Sequence, residues 1–409
     1  MQTNLAEFIK NSPQGEEAER ILRACVHCGF CLATCPTYQL LGDERDSPRG
    51  RIYQIKQVLE GQPATAAVMT HLDRCLTCRS CETTCPSGVQ YGKLLDIGRE
   101  VVEHQVSRPL TERFLRWGLR QMLPRPRLFA ALFSLGVRLR PLLPRHLRRK
   151  LPAGAPRTVS DWPAPVVAQR RMLLLAGCVQ PTLAPTINPA TARLLADLGI
   201  ALEQVAEAGC CGAIAQHNGD PEAALAAARR NIDAWWPHIQ AGAEAIIVNA
   251  SGCGVQVKDY GYLLRNDPAY AAKAERVAAL AKDPIEVLEA EAERLEPAPD
   301  APLRIAFQSP CTLQHGQKLA GRVEALLARI GFTLTPVAEA HLCCGSAGTY
   351  SLLQPELSRQ LQQRKIANLQ AGEPELIATA NIGCLTHLAE AATVPVRHWV
   401  ELVRVKRNG

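Results

Sequence analysis

The sequence predicts a multidomain fold in which an α-helical, cysteine-bearing N-terminal domain precedes two repeated α/β units. Three observations carry this prediction. One cysteine spelling occurs twice between Cys25 and Pro86. A different pattern, centred on Cys-Cys-Gly, occurs twice in the C-terminal part of the chain. Around that second pattern, short apolar runs alternate with helical stretches, the signature of parallel sheets with crossover helices.

The first spelling reads Cys25-Val-His-Cys28-Gly-Phe-Cys31-Leu-Ala-Thr-Cys35-Pro36, and its copy Cys75-Leu-Thr-Cys78-Arg-Ser-Cys81-Glu-Thr-Thr-Cys85-Pro86. Both fit the C-x2-C-x2-C-x3-C-P run of [4Fe–4S] proteins, whose fourth cysteine ligates the other cluster. The spacing therefore assigns Cys25, Cys28, Cys31 and Cys85 to one cluster, and Cys75, Cys78, Cys81 and Cys35 to the other. Zinc sites close with four ligands, often as two C-x2-C pairs, and fit these runs poorly. Residues 1–106 are thus expected to form an α-helical two-cluster ferredoxin domain.

Within it, Glu16 to Ala24 reads as a charged-apolar helix, and Ser47-Pro48 suits a helix start. Ile52, Ile55, Val58 and Leu59 then mark one helical face. Further helices are expected at about 65–74 and 89–106. Residues 107–168 form a basic amphipathic segment and a Pro-rich linker. Between Arg108 and Lys150 twelve Lys/Arg stand against one acid, Glu112, so this segment carries +11 of a net +7 and the rest is −4. Leu110, Phe114 and Trp117 line one side of its first helix, with Arg113, Arg116 and Arg120 elsewhere.

The first cysteine-rich α/β unit is expected over 169–283. A strand from Met172 ends at Cys178, a helix leads to Gly209-Cys210-Cys211-Gly212, and another helix and strand deliver Cys253. After a linker at 284–302, the second unit, 303–409, repeats the order with Cys311, Cys343-Cys344-Gly345 and Cys384. The gap from Cys178 to Cys210 equals that from Cys311 to Cys343, at 32 residues. Cysteines in loops beyond strand ends occupy the places where α/β folds build sites.

At 409 residues the chain is long enough for several cores. No apolar run approaches the ~18 residues of a membrane-spanning helix, and no signal peptide is visible. Sixteen cysteines in such a chain argue for metal ligation in a reducing compartment, hence a cytoplasmic protein. No G-x-G-x-x-G follows a strand, so flavin or nucleotide chemistry is not expected in this chain.

Two ferredoxin runs followed by two Cys-Cys-Gly units resemble the iron–sulfur subunits of glycolate oxidase (glycolate dehydrogenase). Anaerobic glycerol-3-phosphate dehydrogenase small subunits and heterodisulfide reductase-type proteins share the architecture. Cys35-Pro-Thr-Tyr38, Asp46-Ser-Pro-Arg-Gly-Arg51, Ala208-Gly-Cys-Cys-Gly-Ala213 and Asn249-Ala-Ser-Gly-Cys253-Gly look closest to the glycolate type. The resemblance implies an electron-transfer subunit with two [4Fe–4S] clusters. FAD would sit on partner subunits that oxidise glycolate to glyoxylate, and electrons would leave for a membrane acceptor such as quinone. D-lactate or glycerol 3-phosphate as substrate, or a metal-stabilised scaffold role, are the alternatives.

In heterodisulfide reductase relatives the Cys-Cys-Gly units hold iron–sulfur clusters and carry a further cysteine. Here Gln256 and His387 stand in its place. Cys178, Cys210, Cys211 and Cys253, and likewise Cys311, Cys343, Cys344 and Cys384, therefore stand as further metal candidates. A thiol-lined quinone or partner site, zinc, or buried inert cysteine are the other readings. The basic segment is read as a peripheral contact with anionic lipid at the cytoplasmic face of the inner membrane, against a helical brace or a docking face for a partner subunit. Without a recognised nucleic-acid module, nucleic acid is not expected.

Overall fold

The computed structural model describes residues 1–142, 161–164 and 168–406. Pro144, Pro152, Pro156 and Pro165 of the expected linker, and the basic residues at 145–150, lie outside the described residues.

The N-terminal part is helical. Ser12 accepts from Gly15 N at 3.0 Å to open the helix Pro13–Ala24, and Ser47 accepts from Gly50 N at 2.9 Å to open Pro48–Leu59. Such caps satisfy amides that the first helical turn leaves unpaired. Ile21, Leu22, Ile55, Leu59, Leu94 and Leu95 are buried together where these helices meet Tyr91–Gln105. A Cβ on Gly98 would come within 2.6 Å of Ile55, so glycine sets the closeness of that crossing. Cys25 and Cys81 belong to the same core, which ties the cysteine loops to its rim.

The C-terminal part contains two sheets of identical connectivity. Strands β1 (Arg170–Leu174), β2 (Ile200–Gln204), β3 (Ile246–Ile247) and β4 (Ala281–Lys282) pair in parallel in the order β2-β1-β3-β4. After β5 (Leu295–Pro297), strands β6 (Arg304–Gln308), β7 (Thr333–Leu334), β8 (Leu376–Thr379) and β9 (Val396–His398) repeat this as β7-β6-β8-β9. The cysteine repeat is thus a repeat of fold. β2, β4, β7 and β9, most of them only two or three residues long, were not expected from the sequence.

One expectation is corrected. The stretch 284–302 is not a linker: Leu288 and Leu295 are buried, and β5 pairs antiparallel with β10 (Val403–Val405). The two units share one core, to which Leu174, Ile247, Ile305, Phe307 and Trp399 contribute. Apolar faces of both sheets meet there, and neither can be exposed without losing burial worth ~1.5–3 kcal/mol per large side chain.

The basic segment forms two helices, Leu110–Met122 and Pro126–Arg138, and its charge is used differently from the expectation. Arg108 and Arg116 are buried and bonded to Asp73 and Glu112, and Arg108 also to Glu103. Arg120 donates to Asn218 O at 3.2 Å. Leu110, Phe114 and Trp117 face outward instead, at 78%, 72% and 51% exposure. No helix among the described residues is long and apolar enough to cross a membrane.

Candidate metal centres

The two cysteine runs share a backbone as well as a spelling. His27 and Gly29 in the first have φ of 57° and 86°, and Thr77 and Arg79 in the second have 52° and 58°. These left-handed residues fold each C-x2-C-x2-C stretch into a tight loop with its thiols on one side. Only glycine adopts that conformation freely, so three side-chain-bearing residues there mark an over-determined turn.

Cys25, Cys28, Cys31 and Cys85 line one small cavity, with Ile52, Val89 and Tyr91 as its apolar wall. Cys85 comes from the second run, as the crossing of fourth cysteines requires. Burial pushes the Cys25 thiol up, and Cys85 and Cys28 add to it as charged neighbours. Cys81 touches this cavity from the side, yet burial together with Cys78, Cys75 and Cys35 raises its thiol. The structure therefore brings Cys35 to Cys75, Cys78 and Cys81. Two all-sulfur donor sets suit iron–sulfur clusters, the soft-ligand chemistry that thiolates select.

A network of fixed charge surrounds the second set. Cys35 Sγ lies 3.3 Å from Thr37 Oγ1, which accepts from Arg51 at 3.1 Å. Arg51 also donates to His71 O and Asp46 Oδ1, and Arg74 to Asp46 Oδ2 at 2.9 Å. Burial lowers Arg51, but Cys75, Tyr91, Cys35 and Asp46 outweigh it and hold the guanidinium above its ordinary value. Of the other cations named from sequence, Arg49 binds Glu44, Arg79 reaches across to Asp259 at 2.6 Å, and Lys93 lies over the Tyr262 ring.

The Cys-Cys-Gly units each gather four thiols. In the second, Cys311 and Cys343 sulfurs are 3.8 Å apart, Cys344 and Cys384 sulfurs 3.4 Å apart, and Cys343 accepts from Gly345 N. In the first, Cys178, Cys210, Cys211 and Cys253 form the same chain of neighbours, and their thiol contacts shift Cys178 and Cys211 up and Cys210 down. Gly212 and Gly345 make the turns possible. Their φ values are 95° and 90°, and a Cβ would stand 3.0 Å from Ala224 O and 2.5 Å from Ser358 O.

The units differ in how deeply the neighbouring cation is buried. Lys365, 3% exposed, donates to Glu339 O and Ala340 O beside the second quartet. Burial lowers it, while Cys344, Cys343, Cys311 and Cys384 all pull it up. Around the first quartet, the exposed Arg230 and the buried Asn231 donate to Cys210 O at 3.2 and 3.0 Å, and Tyr260 to Cys211 O at 2.8 Å. Sequence reading missed Lys365, Asn231 and Tyr260. A buried polar residue within a helix that follows Cys-Cys-Gly was the available signal for the first two.

All eight of these thiols, with Cys78, line one chamber of about 1990 Å³. That is well above the ~300–1,000 Å³ of ordinary ligand pockets. Leu115, Leu119, Met122, Phe129 and Phe133 of the two basic-segment helices form part of its wall. Gln256, 5% exposed, also lines it, and its Nε2 has no hydrogen-bond partner. Cys78 itself packs against Cys311, Cys343, Leu76 and Tyr350, joining the second cysteine run to the second unit.

Comparison with known proteins agrees with this division. Residues 21–89 match the model of a 4Fe-4S dicluster domain, and residues 172–258 and 305–389 each match that of a cysteine-rich domain. The chain is 59% identical to the glycolate oxidase iron-sulfur subunit of Escherichia coli, over 98% of both chains. It is 32% identical to the probable glycolate oxidase iron-sulfur subunit of Bacillus subtilis, over 93% of this chain and 90% of that one. Lactate utilization protein A of an Exiguobacterium species matches 53% of this chain and 87% of its own length at 29% identity. A dicluster domain, two cysteine-rich repeats and near-complete alignment at this identity leave one conclusion: the chain belongs to the family of glycolate oxidase iron–sulfur subunits.

Proposed function

We propose that this chain is the electron-transfer subunit of a flavin-dependent glycolate dehydrogenase complex, joining flavin-bearing partner subunits to a membrane acceptor of the quinone class. Cys25, Cys28, Cys31 and Cys85 would hold one [4Fe–4S] cluster, and Cys35, Cys75, Cys78 and Cys81 the other. Each cluster, when bound, accepts and releases one electron at a time. Glycolate oxidation to glyoxylate releases two electrons and two protons, and that chemistry belongs to the flavin of the partner.

The observation that carries this reading is the packing of Cys78 against Cys311 and Cys343. It seats the second cysteine group beside a third sulfur group, at the wall of the chamber that both line. The second quartet, with the buried ammonium of Lys365 offsetting thiolate charge, is the better suited of the two to a further metal centre. The chamber offers the acceptor an apolar space, and Gln256 Nε2 a hydrogen-bond donor for a carbonyl oxygen.

The helices that wall the chamber would rest on the cytoplasmic face of the inner membrane. Phe114 and Trp117 pack together with ring centroids 5.7 Å apart on an exposed face. Exposed Arg113, Arg125, Arg127 and Arg138 accompany them, a combination suited to anionic lipid. Glycolate is preferred to D-lactate because the glycolate oxidase relatives align over the whole chain and the lactate one over half.

The test is iron and acid-labile sulfide analysis of the anaerobically purified complex with quinone-analogue turnover. About eight of each per chain indicates two cubanes, and a larger count brings in the Cys-Cys-Gly thiols. Turnover that survives removal of both cubanes leaves only a scaffold role.

A further inference from the structure

The two cysteine runs share spelling and backbone but not electrostatic setting. Beside the second group, Arg51 is 1% exposed and donates to His71 O at 2.7 Å, Thr37 Oγ1 at 3.1 Å and Asp46 Oδ1 at 3.2 Å. Thr37 Oγ1 lies 3.3 Å from Cys35 Sγ, so one hydroxyl separates the guanidinium from that sulfur. Arg74 bonds the other oxygen of Asp46 at 2.9 Å, and Arg99 donates to Cys75 O at 2.9 Å. Two guanidiniums, Arg51 and Arg74, thus share one fully buried carboxylate, Asp46, while the third, Arg99, holds the backbone of Cys75.

Among the described residues the first group has no such buried cation. Arg49 lines that group's cavity, its backbone N–H bonded to Cys31 and its guanidinium donating to His27 O at 3.3 Å, but its side chain is about a third exposed and paired with Glu44 at 2.8 Å. The amino group of Met1, bonded to Cys25 O at 2.8 Å, sits at the partly exposed edge. A charge in the protein's effective dielectric acts about four times as strongly as in water. The buried, over-bonded cation therefore outweighs the exposed ones. Reduction adds one negative charge to a cluster, and fixed positive charge nearby stabilises the reduced form.

We infer that Arg51 holds the second cluster at a higher reduction potential than the first, so that electrons entering at the exposed first run settle on the second, against Cys311. This rests on the two-cubane assignment above. The hydrogen bonds of Arg51 make it a positioning residue: it touches no thiol ligand directly and acts through Thr37 and its field. Asp46 keeps Arg74 when Arg51 is replaced, so Arg51→Gln leaves no unpaired buried carboxylate.

The experiment is an anaerobic redox titration of the assembled complex followed by electron paramagnetic resonance, with Cys28→Ser used to identify the first cluster's signal. The second cluster is expected to be reduced before the first. In Arg51→Gln its reduced-to-oxidised ratio at a fixed ambient potential should fall by about tenfold, or about 59 mV for one electron, with the first cluster unmoved. Arg51→Lys, which keeps the charge, should restore most of the shift, and packing loss alone would not be rescued this way. Should Arg51→Gln fail to hold iron, Arg74→Gln at the edge of the network should give a smaller shift in the same direction. A second cluster that titrates at or below the first, or that ignores loss of both arginine charges, overturns the inference. An iron content near four per chain overturns the two-cubane assignment instead.

Discussion

Cys78 and Cys311 meet in one packed cluster although they come from different parts of the chain, the second ferredoxin-type run and the second α/β unit. Each is among the charged neighbours that raise the other group's thiols: Cys311 acts on Cys78, and Cys78 on Cys343. The contact is supported on both sides. Tyr350 donates to Arg74 O at 3.1 Å, and Thr83 and His315 share a hydrogen bond of 2.9 Å. The proposed relay would pass through this junction.

Replacement of Cys78 by serine should remove the second cluster and abolish turnover with quinone analogues. The partner's flavin should still be bleached by glycolate in stopped-flow absorbance. Bleaching that is lost as well would mean that the variant fails to assemble with its partners.

The Cys-Cys-Gly turn should be intolerant of a side chain. Gly345→Ala places a methyl 2.5 Å from Ser358 O at a φ of 90°, and strain of this kind costs on the order of 1–3 kcal/mol. The midpoint of chemical denaturation should fall accordingly, and unchanged stability would show that the turn relaxes.

On the basic helices, position decides the outcome. Phe114→Glu and Trp117→Glu alter exposed side chains and should release the complex from anionic vesicles in a sedimentation assay, with little change in stability. Arg116→Glu should instead destabilise the fold by about 3–5 kcal/mol, because it sets a like charge in a buried position against Asp73, whose side chain is 11% exposed. Equal vesicle binding by all three variants would favour a partner subunit as the occupant of this face.

Asp283 supplies a pH-dependent test. Burial raises its carboxyl from the ordinary 3.8 to about 7. An acid raised on folding costs nothing where both states are protonated, below its unfolded value. The penalty then grows as pH rises from about 4 and is complete above about 7. Asp283→Asn retains an oxygen for the bond from Ile285 N. It should raise the thermal midpoint at about pH 8, by a few kcal/mol of stability, and the gain should vanish near pH 4.

The metal groups and the repeat were legible because both are written locally. C-x2-C spacing, Cys-Cys-Gly and the Ser47-Pro48 helix start need no distant partner to be recognised. Three features depend on distant partners and were not. β7 is only Thr333–Leu334, too short for a periodic signal, and exists because β6 pairs with it. β5 was read as linker because its partner, β10, lies more than a hundred residues away. The pattern of Leu110, Phe114 and Trp117 gave a helix with an apolar side, as found. That this side faces outward follows from Asp73, which draws Arg108 and Arg116 inward. Periodicity identifies the faces of a helix, and only tertiary partners select the one that is buried.

The most direct measurement is electron paramagnetic resonance of the anaerobic, assembled complex frozen after glycolate is added. The relay predicts reduced-cluster signals from both cysteine groups within the turnover time, disappearing when a quinone analogue is supplied. Clusters that stay oxidised while glyoxylate is formed and the quinone analogue is reduced would contradict it.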